Sequence, residues 1–430
     1  MDKSTWIQHV DAVLPDRTAC VHMVFSDSKI AYIGEDLPPA ALQKEADIVD
    51  GRGFLATPGF VNTHTHAAMT LFRSYADDMV LMDWLQKKIW PAEDHLTAPD
   101  VYWATLAAIG EMIKSGTTTF ADMYFFMDEV AKATEETGMR AVLARGMAGV
   151  APTAEAALVE SRELYHTWNN SADGRITVML GPHAPYTCPA DYLKRVVALS
   201  EELNTGIHIH LSETKGEVED CLKLHGKSPI AYMADLGVLQ RGVLVAHCVH
   251  VDTDDIALMK KYNVRVAHNP QSNLKLASGF APITAMLDAG ITVGLGTDGA
   301  ASNNNTDLLE EMRLAAMLHK AVTGNPEVLP ARQALNLATC DGAVALGLGN
   351  QLGELRVGAK ADVVLYDRSG LQWCPPHDLV SLLVYSAQSS DVHSVWINGR
   401  RVLDNHVLTT IDEEKVKQEV SRRGLALVGK

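Results

Sequence analysis

The amino-acid sequence predicts an α/β protein: a (β/α)8 TIM-like barrel accompanied by a small β-sandwich domain built from both chain ends. Three observations carry this expectation. Between Pro58 and about Cys340, eight short apolar, β-branched segments alternate with longer helical patterns. On both flanks the pattern changes to short alternating segments separated by turn residues. Polar residues with metal-site chemistry also fall at or just beyond the ends of the eight segments, the face where such barrels place their chemistry.

In chain order, the barrel strands are expected at 59–64, 117–123, 139–145, 176–183, 206–211, 243–247, 264–268 and 291–298. Helices are expected at 102–115, 128–138, 190–204, 217–236, 254–262 and 281–290. Gly116, Gly138 and Gly290 stand where a helix needs a residue tolerant of the left-handed conformation to end it. The flanks offer strand-like runs at 30–33, 48–51, 353–355, 362–366, 392–397 and 401–403, and Asn398-Gly399 is a tight hairpin signal between the last two. A terminal helix is expected at 412–427. The resulting division is 1–57 as the first part of the β-domain, 58–345 as the catalytic barrel, and 346–430 as the rest of the β-domain with that helix.

Composition narrows the setting. At 430 residues the chain can bury a large core without disulfide or metal staples, and 47% hydrophobic against 21% charged residues is ordinary for a globular protein. Lys plus Arg count 37 against 53 Asp plus Glu, a formal charge of -16, and no basic patch stands out, so nucleic acid is not an expected partner. The six cysteines are scattered with no C-x-x-C pair, which suits a reducing compartment. Neither a signal-peptide pattern nor an apolar run of membrane-spanning length is visible, and the cytoplasm is the expected location, with no membrane partner.

The chemistry starts at His64 and His66, which close the first apolar strand at spacing i, i+2. Alternate residues of a strand share a face, so the two imidazoles point together and can hold one cation. A pair this close is weak evidence alone. It gains weight from His210 with Glu213, His247 and Asp298, all placed at the ends of later strands.

Five segments then carry a resemblance that spans essentially the whole chain: Pro58 to His66, His208 to Thr214, Ala246 to His250, His268 to Asn273, and Gly296 to Asn304. A late Gly358-Ala359-Lys360-Ala361-Asp362 run adds to it. They resemble the amidohydrolase superfamily and, within it, the 5-methylthioadenosine/S-adenosylhomocysteine deaminases. The resemblance implies that His64, His66, His210 and Asp298 ligate one divalent ion, most readily zinc, with a position left open for water. Two-metal relatives carry a bridging lysine at the end of the fourth strand; here that strand ends Gly181-Pro182-His183-Ala184-Pro185, which favours a single metal. A metal-dependent aminohydrolase is therefore expected. It would replace the 6-amino group of an adenosine derivative, methylthioadenosine first and S-adenosylhomocysteine or adenosine next, to give the inosine analogue and ammonia.

In that reading Glu213 moves the water proton to the ring nitrogen, His247 hydrogen-bonds the attacking water or the oxyanion, and Asp298 takes the remaining proton. Spacing alone leaves His250 as a competitor of His247. Glu93 resembles the acceptor of ribose hydroxyls and His183 a nucleoside contact, while Trp84 either stacks on the purine or packs beneath a lobe. Arg145 matches an arginine that binds the amino-acid carboxylate of S-adenosylhomocysteine. No second Lys or Arg occurs before Arg162, so neutral 5'-thioethers are expected to be preferred. Competing expectations are a guanine, cytosine or triazine amidohydrolase, and a barrel retained only as a binding scaffold. The family also suggests a homo-oligomer.

Overall fold

The computed structural model describes residues 4–44 and 46–429. The described residues form seventeen strands. Five precede the barrel: β1 (Thr5–Val13), β2 (Thr18–Ser26), β3 (Lys29–Gly34), β4 (Asp47–Asp50) and β5 (Phe54–Pro58). The barrel follows with β6 (Phe60–Thr65), β7 (Thr117–Tyr124), β8 (Arg140–Met147), β9 (Ile176–Pro182), β10 (His208–Leu211), β11 (Leu244–His247), β12 (Arg265–His268) and β13 (Thr292–Leu295). Four more, β14 (Val363–Asp367), β15 (Val392–Ile397), β16 (Arg400–Asp404) and β17 (Val407–Leu408), return to the first five.

All eight expected barrel strands are present and parallel. Strands β6 to β9 form one ladder and β10 to β13 another. Two sets of hydrogen bonds close the ring. On one side Leu180 N–H donates to Gly206 carbonyl at 3.0 Å. On the other, Asp298 N–H donates to His64 carbonyl at 3.0 Å and Thr63 Oγ1 to Leu295 carbonyl at 2.8 Å. Closure here requires a glycine: a Cβ on Gly296 would lie 2.3 Å from Asn269 Oδ1 and 2.9 Å from His64 N. Inside the barrel, small and branched residues such as Val61, Ala121, Val142, Ala144, Leu244 and Ala267 fill the lower layers, so the ring is a packed core with its opening at the strand ends.

The β-domain joins both chain ends, in strand order β17-β16-β15-β14-β5-β1-β2-β3 with β4 on β1. It folds as a sandwich around its own core of Ile7, Val10, Met23, Phe25, Ile30, Val363, Leu365 and Trp396. The Asn398-Gly399 turn has both residues at positive φ, 54° and 78°, as a two-residue hairpin between right-twisted strands requires. A buried ion pair fastens this domain to the barrel. Arg140 on β8 donates from Nε to Asp362 Oδ2 at 3.1 Å and from Nη2 to Asp362 Oδ1 at 3.2 Å, and Nη2 also reaches Asn398 Oδ1 at 2.9 Å.

Three expectations need correction. The helix expected at 217–236 is two helices, Lys215–His225 and Pro229–Asp235. Gly226 ends the first at φ 68°, and Ser228 caps the second with proline at its first turn. The run at 353–355 is a bend, not a strand. The longest β-domain strands, β1 and β2 with nine residues each, were not among the expected runs. The segment 67–93 after β6 is largely helical, and its Leu81, Trp84, Leu85 and Trp90 roof the barrel mouth. Among the described residues no helix is long and apolar enough to cross a membrane.

Candidate active site

The four expected ligands converge at the carboxyl ends of β6, β10 and β13. His64 Nε2 and His66 Nε2 lie 3.4 and 3.3 Å from Asp298 Oδ1, and His210 Nε2 lies 3.3 Å from His66 Nε2. A tetrahedral zinc with ligands at roughly 2.0 to 2.1 Å separates its donors by about 3.3 Å, so the spacing fits a first-row divalent ion. The outer nitrogens fix the tautomers. His66 Nδ1 meets Met123 carbonyl at 2.6 Å and His210 Nδ1 meets His183 carbonyl at 2.8 Å, so each Nδ1 must carry the proton and each Nε2 keeps a lone pair. His64 Nδ1 contacts His208 Nε2 at 2.9 Å, and His64 Nε2 is buried with no hydrogen bond. His64, His66 and Asp298, and likewise His64, His210 and His247, bring their donor atoms within 4.8 Å of one another and could hold a metal ion. Burial holds His64 down to about 4 and His210 well below the usual histidine range, which keeps both imidazoles neutral.

Glu213 and His247 face this cluster. His247 Nε2 is 3.8 Å from Glu213 Oε2 and 4.0 Å from Asp298 Oδ2, and its Nδ1 meets Asn273 Oδ1 at 2.8 Å. Burial opposes a charge on His247, but Glu213 and Asp298 outweigh it and raise the imidazole above its usual value. Burial likewise raises Glu213, against the pull of His247. Burial pushes Asp298 up too, yet His64, His66 and His247 overcome it and hold this carboxyl well below the usual range. Ser272 Oγ and Ser302 Oγ donate to Asp298 Oδ2 at 2.6 and 3.0 Å, and Gly299 N–H donates to Oδ1 at 2.8 Å. His250 turns away and contacts Ser278 carbonyl through Nε2 at 2.7 Å.

Several partners were not singled out from the sequence. Glu217 accepts the backbone N–H of Ser212 at 2.8 Å and of Glu213 at 2.9 Å, one on each carboxylate oxygen. Tyr124 donates its hydroxyl to Glu93 Oε1 at 2.6 Å, and His208 stands beneath His64. Available signals were the repeated H-x-H of His208 and His210, and Asn273 within a segment already noted.

The expected substrate residues divide between two spaces. Trp84, Glu93 and His183 line a cavity of about 140 Å³ together with His66, His210, Glu213, His247 and Asp298. Trp84 is buried among core residues as well as lining this wall. His183 Nδ1 meets Thr187 Oγ1 at 2.9 Å, and burial lowers the ring to about 4. Burial pushes Glu93 up to about 7, partly offset by the Tyr124 hydroxyl. Arg145 lies outside this inner cavity, in an adjoining chamber, with Nε 2.6 Å from Glu160 Oε2.

Comparison with known proteins places this geometry. Residues 55–402 match the model of the Amidohydrolase family. A 5-methylthioadenosine/S-adenosylhomocysteine deaminase of Syntrophomonas wolfei is 56% identical over 411 residues, 95% of either chain. The protein of the same name from Pelotomaculum thermopropionicum is 52% identical over 414 residues, again 95% of either chain. Among solved structures, an adenosine deaminase from Xanthomonas campestris with bound zinc superposes with a TM-score of 0.94 at 33% identity over 99% of each chain.

Proposed function

The chain belongs to the amidohydrolase family, and we propose that it is a hydrolytic deaminase of 5'-thioadenosines, with methylthioadenosine preferred over S-adenosylhomocysteine and adenosine. The carrying observation is the cluster of His64, His66 and Asp298, with His210 3.3 Å from His66 and with Glu213 and His247 beside it. The donor set of three imidazoles and one carboxylate suits one zinc ion per chain, held by His64, His66, His210 and Asp298. When bound, such an ion acts as a Lewis acid that makes water nucleophilic at neutral pH.

The side chains divide the remaining work. Glu213 accepts one proton of the attacking water and delivers it to the ring nitrogen beside the reacting carbon, so that addition does not leave a negative charge on the purine. His247, whose charged form Glu213 and Asp298 favour against burial, would donate a hydrogen bond to the oxygen as it adds. Asp298 takes the second proton and passes it to the departing amine, which leaves as ammonia while the carbon–oxygen double bond forms. Glu93, with Tyr124 fixing one oxygen, accepts from the ribose hydroxyls. His183 Nε2 serves the sugar face, and Trp84 walls the base.

The test is Glu213→Gln together with a substrate screen. The variant should lose turnover while keeping the metal content of the wild type; retained turnover removes Glu213 from the mechanism. An ammonia-release screen over methylthioadenosine, S-adenosylhomocysteine, adenosine, guanine, cytosine and an aminotriazine should give its highest kcat/KM with methylthioadenosine. A base or a triazine at the top would overturn the nucleoside assignment. The cytoplasm remains the proposed location, and the six cysteines are all free thiols.

A further inference from the structure

The inner cavity adjoins an outer chamber of about 660 Å³, and the two share Trp90, Glu93, Phe125, Gly146, Ala148 and Thr187 as walls. A ligand with its base over the histidines and its sugar at Glu93 therefore directs whatever hangs beyond the sugar into this chamber. The charge of the chamber is one-sided. Arg145 is the one cation among the described lining residues, against the carboxyls of Glu93, Asp94, Asp128 and Glu160.

That cation is already occupied. Arg145 Nε donates to Glu160 Oε2 at 2.6 Å, one terminal nitrogen donates to Gly146 carbonyl, and the guanidinium lies over the Phe125 ring at 5.1 Å. The arginine side chain is 10% exposed and the glutamate 51%. An arriving carboxylate that is to take the Nε edge of the guanidinium with both oxygens must therefore displace Glu160, and must do so beside Asp94 and Asp128. Such like-charge crowding opposes binding, whereas an uncharged tail meets Leu96, Phe125, Ala157 and Leu164 and an ammonium meets spare carboxylate oxygens.

We propose that Glu160 is a specificity-determining residue: by keeping Arg145 paired it directs the outer chamber toward uncharged or cationic 5'-thioether tails and against tails that end in a carboxylate. This rests on the thioadenosine deaminase reading above. Three 5'-thioadenosines of similar tail length test it, carrying butyl, aminopropyl and carboxyethyl groups, with the metal-loaded enzyme. In the wild type kcat/KM should follow butyl and aminopropyl well ahead of carboxyethyl. In Glu160→Gln the carboxyethyl-to-butyl ratio should rise by about fivefold, in the range a half-exposed ion pair is worth, and the aminopropyl-to-butyl ratio should fall. Adding Arg145→Gln to that variant should abolish the carboxylate gain.

An unchanged or falling carboxyethyl ratio in Glu160→Gln overturns the proposal. Dissociation constants of the same three compounds, measured by calorimetry, separate this result from failure of the deaminase reading. Binding ratios that shift as described without ammonia release would retain the chamber assignment and sink the deaminase. Absence of binding by all three would overturn both.

Discussion

Glu217 offers the sharpest test of how the site is assembled. Its two carboxylate oxygens hold the N–H groups of Ser212 and of Glu213, the proposed proton carrier, three residues beyond the proposed ligand His210. Ser212 is left-handed at φ 54°, a conformation that a serine adopts only when its surroundings enforce it. In Glu217→Gln one oxygen still accepts, but an amide NH2 meets the other N–H and leaves it unpaired. A buried donor left unsatisfied costs about 1 to 3 kcal/mol, and displacing a reacting group by an ångström costs about a hundredfold in rate. The variant should therefore melt a few degrees lower and lose roughly ten- to a hundredfold in kcat, with KM changed much less because Glu93 and His183 lie elsewhere. Calorimetric melting and steady-state ammonia release read the two effects separately. A variant that melts lower with undiminished kcat would refute the reasoning, because it would show that Glu213 holds its place without this clamp.

Four further outcomes are expected. Chelation should abolish activity and lower Tm, zinc should restore both, and His208→Phe should weaken metal affinity by about 10- to 100-fold, as loss of an outer hydrogen bond to a ligand imidazole does; equilibrium titration against a chromophoric chelator measures it, and wild-type affinity in that variant would remove His208 from the support of His64. Glu93, raised to about 7 by burial, accepts fully from ribose hydroxyls only when ionised. KM for methylthioadenosine should therefore rise as pH falls from about 8 to about 6, and the rise should flatten in Glu93→Gln. Asp362→Ala strands the buried Arg140 charge between barrel and β-domain and should destabilise the fold by about 3 to 5 kcal/mol, read as a lowered midpoint in urea.

The barrel was legible because parallel strands buried on both faces appear as apolar runs, and the glycines just before several of them mark where helices stop. That His64, His66, His210 and Asp298 lie together was legible because a strand end fixes direction without knowledge of the rest of the fold. What escaped depends on depth or distance. His208 and His210 repeat the spacing of His64 and His66, yet only one of them reaches the metal cluster: successive inward residues of a barrel strand occupy successive layers, and His208 lies a layer lower, against His64 Nδ1. Glu217 looks like any acidic residue in the first turn of a helix, Tyr124 like a core aromatic, and Glu160 like a solvated surface charge. Each acquires its meaning only from a partner on another element.

The strand ends show why sequence pattern alone places these side chains only approximately. His247 at φ 76° and Asp298 at φ 59° join Ser212 in the left-handed region, although none is glycine. A non-glycine residue held there costs on the order of 1 to 3 kcal/mol, so each needs an opposing contact. Asp298 has its N–H on His64 carbonyl and its carboxylate on Ser272 and Ser302; His247 has Asn273; Ser212 has Glu217. The left-handed turn redirects the chain at the rim where an extended strand would carry it straight on. Residues that look like packing or capping groups, Asn273, Ser272 and Glu217, thus help set the geometry of the proposed site, because they hold the left-handed strand ends that place Asp298 and Glu213 beside the histidine cluster.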